Sequence, residues 1–115
     1  MGFVNFSNHP IEKWDEKQKQ AAQQFGKFVD IPFPMVDPKG DENYIEQLAE
    51  ECVEKILAEN PSVVLCQGEF CLAFKVVEKL KEKNIPVVAA CSERHVEECG
   101  NQKKVTFVFE RFRKY

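Results

Sequence analysis

Nowhere in its 115 residues does the chain carry an apolar run long enough to cross a membrane. It has no C-x-x-C pair and neither glycine-rich phosphate fingerprint, G-x-G-x-x-G or G-x-x-x-x-G-K-[ST]. No arginine stands six positions after any cysteine, so a Cys-x5-Arg phosphatase loop is missing too. Histidine is scarce, with only His9 and His95, and no Cys/His spacing fits a metal site, so neither metal nor cofactor is expected. The net charge of -3 is too small for a protein that coats duplex nucleic acid or a membrane surface. Repeats and low-complexity segments are absent, and no basic apolar leader precedes Phe3, which points to the cytoplasm. The cysteines Cys52, Cys66, Cys71, Cys91 and Cys99 are odd in number and unpaired in spacing. They read as reduced, buried thiols acting as small hydrophobes.

What is present fits one ordinary α/β domain over residues 1–115, 43% hydrophobic and 30% charged, with no room for a separate catalytic domain. The chain is organised around Pro61 to Arg94, PSVVLCQGEFCLAFKVVEKLKEKNIPVVAACSER. Val63 to Cys66 is apolar without alternation, as a strand buried on both faces requires. Phe70 to Lys83 has helical periodicity, with Phe70, Ala73, Val77 and Leu80 on one face. Asn84 and Pro86 punctuate, and Val87 to Cys91 is a second buried strand. This is a right-handed strand–helix–strand unit. Its strand ends carry Gln67-Gly68-Glu69 and Ser92-Glu93-Arg94, and ligands of open parallel sheets bind at such ends.

Upstream, Gly2 to Phe6 predicts a first strand, a helix spans about Ile11 to Phe25, and Lys27 to Ile31 predicts a second strand. Phe33 and Met35, set between prolines, suit a segment that folds over the sheet edge or meets a partner. Asp41 caps a helix to about Glu59, with Tyr44, Ile45, Leu48, Ala49, Cys52, Val53, Ile56 and Leu57 inward and an acidic outer face. That face is either solvated or a dock for a basic partner. Ser92 to Cys99 is a short helix or a prolonged strand; Val105 to Phe112 is strand-forming, and a terminal antiparallel hairpin is favoured. Strict alternation would put Phe107, Phe109 and Arg111 on one face and Phe112 on the other. The expected fold is a Rossmann-like three-layer domain, with a mostly parallel sheet and a C-terminal hairpin.

Three polar clusters converge on the strand ends. Ser7-Asn8-His9 brings a hydroxyl, an amide and an imidazole that suit phosphate, ribose or proton transfer, or that simply cap a turn. Gly68 allows close backbone approach and Glu69 opens a helix, where a carboxylate also complements the dipole. Gln67 ends a buried strand and needs a hydrogen-bond partner. Ser92 and Arg94, joined by Arg111, stand in a basic and aromatic C-terminal region suited to a short nucleotide, or to blunting a sheet edge.

FVNFSNHP, VLCQGEF, IPVVAACSER and VTFVFERFRKY, spread over most of the chain, resemble small CRISPR-associated accessory proteins of the CARF (CRISPR-associated Rossmann-fold) group. The resemblance implies binding of cyclic oligoadenylate across the strand ends of a homodimer, touching Ser7, Gln67, Gly68 and Arg94. It also implies ring-nuclease activity, since compact members of the group cleave that messenger. Such cleavage uses the ribose 2′-hydroxyl and needs no metal. Arg94 or Arg111 and the Gly68 amide would hold phosphate, and His9 would move the proton. A non-catalytic sensor of the same ligand and a protein-interaction domain are the alternatives.

Overall fold

Apolar runs without alternation become central strands when both faces are covered, and this chain follows that rule. In the computed structural model, which describes residues 2–115, five strands form one sheet. They are β1 (Gly2–Ser7), β2 (Lys27–Pro32), β3 (Pro61–Cys66), β4 (Val87–Cys99) and β5 (Gln102–Lys114), in the order β2-β1-β3-β4-β5. All neighbours are parallel except β4 and β5, which form the antiparallel hairpin. The fold is therefore α/β, as the sequence predicts. Ser92 to Cys99 is prolonged strand: β4 and β5 each run for 13 residues and turn at Gly100, whose φ is 63°.

Helices α2 (Glu42–Ala58) and α3 (Phe70–Glu82) lie on one face, where Val4, Phe6, Val64, Cys66 and Val87 meet Ala49, Cys52, Ile56, Leu72, Val76 and Leu80. Asp41 caps α2 by accepting from Tyr44 N, and Asn60 and Asn84 end α2 and α3 with left-handed φ of 50° and 60°. The acidic outer face of α2 is partly neutralised within the chain, since Glu46 pairs with Lys75 and Lys79. On the other face Phe3, Val63, Leu65 and Val88 pack against Ile11, Trp14 and Ala22. No helix among the described residues is long and apolar enough to cross a membrane.

Four local expectations need correction. The helix predicted over Ile11 to Phe25 is broken: a 3-10 turn, Ile11–Lys13, precedes extended Trp14 and Asp15, and α1 covers only Glu16–Gln23. Asp15 causes the break, because its carboxylate caps α1 by accepting from Gln18 N. Phe70 does not face the core but is 90% exposed, since Leu72, Ala73, Val76, Val77 and Leu80 already fill the buried stripe. Cys71 and Cys99 are exposed rather than buried, although all five cysteines are free. Finally, the β5 faces are not those of a regular strand. Cys91 pairs with Arg111 but Ser92 with Phe109, so Glu110 is an extra residue and a β-bulge reverses the alternation. Phe112 thereby joins Phe109, with ring centroids 4.9 Å apart, while Arg111 turns to the opposite face.

Candidate functional site

At the carboxyl ends of β1 and β3, beside Ala90 and Ser92 within β4, the sheet opens into a cleft of about 600 Å³. One wall is the loop after β1 with the 3-10 turn and α1: Ser7, Asn8, His9, Lys13, Trp14, Asp15 and Gln18. Gln67 and Gly68 form the floor, and Ser92, Phe107 and Phe109 form the opposite wall on the hairpin. The walls are tied at their outer edge by Lys17 and Glu110, 3.3 Å apart. Glu110 is the bulged residue, so the same irregularity that turns Phe112 inward also supplies this tie.

The loop carrying His9 is held by a polar network that runs from buried Asn5 and Ser7 out to solvent-exposed Asp30. Asn5, only 1% exposed, lies opposite Asp30 in the β1–β2 register and donates to its carboxylate at 2.8 Å. Asn5 also donates to the His9 carbonyl at 2.9 Å and accepts from the Ser7 hydroxyl at 2.6 Å. Ser7 Oγ in turn accepts from His9 N at 3.2 Å, and Trp14 Nε1 donates to the His9 carbonyl at 3.0 Å. Asp30 completes the network by accepting from Ile11 N. The buried Asn5 and Ser7 side chains each have a partner, which fixes the loop while leaving the exposed His9 side chain lining the cleft.

Gln67 is committed as well. Its Oε1 accepts from Ala90 N at 3.0 Å and its Nε2 lies 3.5 Å from the Ala90 carbonyl. The side-chain amide thus continues the β3–β4 ladder beyond the last backbone rung, Leu65 with Val88. This is the partner that a polar residue ending a buried strand needs. Gly68 has a packing reason: a Cβ there would stand 2.5 Å from the ring of Phe33, which is buried and stacked on Phe6. Glu69 is the α3 N-cap, accepting from Leu72 N at 2.7 Å, and it borders a different groove, beside Phe70 and Cys71.

Of the predicted residues, Ser7, Asn8, His9, Gln67, Gly68 and Ser92 share the cleft. Arg94 lies outside the cleft lining, on the same sheet face as Ser92 but two residues further out, paired with cleft-lining Phe107. Arg111 is carried to the opposite face by the bulge and Glu69 to the other groove, so neither lines the cleft. Residues not predicted for the site are Asn5, Lys13, Trp14, Gln18 and Asp30. An Asn within an otherwise apolar first strand, and Asp15 three residues before Gln18, are the signals that point to them.

Chemically, the cleft offers an imidazole, an ammonium, the Asp15 carboxylate that caps α1, small hydroxyl and amide groups, and a phenyl ring that is 65% exposed. The thiol of Cys66 is not a nucleophile here, because burial pushes it up to about 12. Among the described residues no group of three His, Cys, Asp or Glu side chains is placed to hold a metal ion. Comparison with curated proteins finds no match. The matching family model covers residues 1–113, and the chain belongs to the family described as uncharacterized protein MJ1673.

Proposed function

We propose that the cleft binds cyclic oligoadenylate and cleaves it, each subunit of a cytoplasmic homodimer taking one part of the ring. The observation that carries this reading is the meeting of His9, Lys13, Ser92 and the exposed Phe107 ring in a single strand-end cleft. An exposed aromatic face stacks a base without needing hydrogen-bond readout, and Lys13 supplies positive charge for phosphate. A volume of about 600 Å³ lies within the range of small-molecule sites, enough for part of a ring rather than all of it. A two-fold dimer would present two such clefts to a ligand of even symmetry. The sequence resemblance to the CARF group supports an oligoadenylate over other nucleotides.

The chemistry follows from the ligand. The ribose 2′-oxygen attacks the adjacent phosphorus, forms a 2′,3′-cyclic phosphate and expels the 5′-oxygen of the next nucleotide. His9 accepts the 2′-hydroxyl proton, and the departing 5′-oxygen on the opposite side of phosphorus takes its proton from solvent water. Lys13, with Arg94 outside the lining on the same sheet face, neutralises the phosphate, and the nucleophile belongs to the substrate. Incubation with cyclic tetra- and hexaadenylate in EDTA should give linear products ending in 2′,3′-cyclic phosphate. Unchanged ligand at stoichiometric protein would overturn the enzymatic reading.

A second reading is binding without turnover, because the described cleft lining holds a single imidazole, His9, to move protons. Calorimetry showing tight binding in the absence of products would select it. His9→Ala separates the two, since proton transfer predicts a larger loss in kcat than in affinity.

A further inference from the structure

β4 pairs with β3 only at Val87 and Val88, so beyond Ala90 its sole neighbour is β5. The outer part of the hairpin is therefore a free two-stranded arm, a structure of marginal stability in water unless something covers it. The overhang shows in the radius of gyration, 15.6 Å against about 13 Å for a compact chain of this length. The arm is two-faced. On the cleft side stand the rungs Arg94–Phe107, Val96–Val105 and Glu98–Lys103. Val96, Val105 and Phe107 on these rungs are 45%, 43% and 65% exposed. The other side is mostly polar, with Glu93, His95, Glu97, Lys104 and Thr106.

We propose that a second copy of the chain covers the apolar side, the two arms stacking face to face in opposite directions. The order of residues along that face is self-complementary. Reversing the arm about the Val96–Val105 rung sets Arg94 against Glu98 of the partner subunit, and Lys103 against the ring of the partner subunit's Phe107. Each contact occurs twice, around an apolar centre. Arms pointing the same way are blocked, because stacked sheets lie about 10 Å apart and α1 with its preceding loop fills that space over the body. In the reversed arrangement each tip reaches the mouth of its partner's cleft, where Phe107 stands, and adds a lysine to it. The inference rests on the nucleotide reading only for the existence of a homodimer, to which it gives an interface; single variants that still dimerise normally would overturn the arm contact and leave that reading intact.

Sedimentation equilibrium of the full chain should give twice the 13.3 kDa monomer mass. Arg94→Glu and Glu98→Arg each place like charges face to face twice, so each variant alone should dimerise at least about 10-fold more weakly. Mixing the two variants restores both attractive pairs and should yield a heterodimer of near wild-type affinity. That rescue is specific, because damage to hairpin folding would not be repaired by mixing. A monomeric wild type, single variants that dimerise normally, or a mixture that stays monomeric would each overturn the proposal.

Discussion

α2 and α3 lay 17 and 13 residues of helix across one face of the sheet, whereas the other receives the eight-residue α1 and a single 3-10 turn. The first face is closed by aliphatic side chains with the Phe6 and Phe33 rings and the Cys52 and Cys66 thiols, and among the described residues no buried polar side chain joins its cluster. The second keeps Asn5, Ser7 and Gln18 buried beside its aromatic cluster and opens into the cleft. The difference comes from local sequence: Asp15 caps a new helix and so cuts the coverage of that face short. Stability and function are thereby divided between the two sides. The sealed face can be optimised for packing, while the half-covered face must spend polar groups on shaping a loop around empty space.

The largest expected effect lies on the sealed side. Leu80 is fully buried between α3, α2 and the sheet, so Leu80→Ala should lower stability by roughly 2–5 kcal/mol in denaturant titration. The cleft is on the other face, so ligand binding per folded molecule should not change. A variant that abolished binding while remaining folded would show that the two faces are coupled.

Asn5→Ala attacks the other side. It leaves Asp30, the Ser7 hydroxyl and the His9 carbonyl each short of a partner, at a cost of roughly 1–3 kcal/mol. Unlike Leu80→Ala, it should also loosen the loop, seen as faster amide exchange or proteolysis over residues 8–13. Exchange unchanged in that loop would mean that the network does not position His9. Gly68→Ala tests the seam between the faces. The new methyl must displace the Phe33 ring, and overpacking of this kind costs about 1–3 kcal/mol. Wild-type stability there would remove the packing account of the glycine.

These pairs of residues also show what a sequence makes legible. The parallel strands, the caps at Asp41 and Asn84 and the terminal hairpin are written locally, in apolar runs and in single capping residues, and they were readable. Phe70 and Arg111 were not. Phe70 has the right helical phase to be buried, but the neighbouring stripe already fills the space, which is a property of packing rather than of period. Arg111 was misplaced because one inserted residue, Glu110, reverses every face assignment after it, and a bulge without glycine leaves little trace in the chain. At the site the same distinction holds. The strand-end position of Ser7 and Gln67 followed from topology, and Ser92 shares their cleft although β4 runs on past it to Cys99; the internal partners of Ser7 and Gln67 depend on contacts between distant strands and loops.

The smallest effect concerns a group on the sealed side that the cleft does not use. Burial, with the nearby Cys52 second, pushes the Cys66 thiol up to about 12 from its ordinary 9.0, and burial also raises the Tyr115 phenol that donates to the Cys66 carbonyl. Between these values the unfolded chain has released the thiol proton and the folded chain has kept it. The native state therefore binds more protons, and stability is full below pH 9.0 and falls as pH rises through the window towards 12. By about pH 10 the loss from Cys66 alone should reach roughly 1 kcal/mol. Denaturant midpoints of wild type and Cys66→Ala, followed from about pH 8 to about pH 10, isolate this contribution from that of the lysines and tyrosines. The wild type should lose more stability over that range than the variant does. Equal slopes would mean that Cys66 ionises as readily in the fold as outside it, and that this face is less tightly closed than its packing indicates.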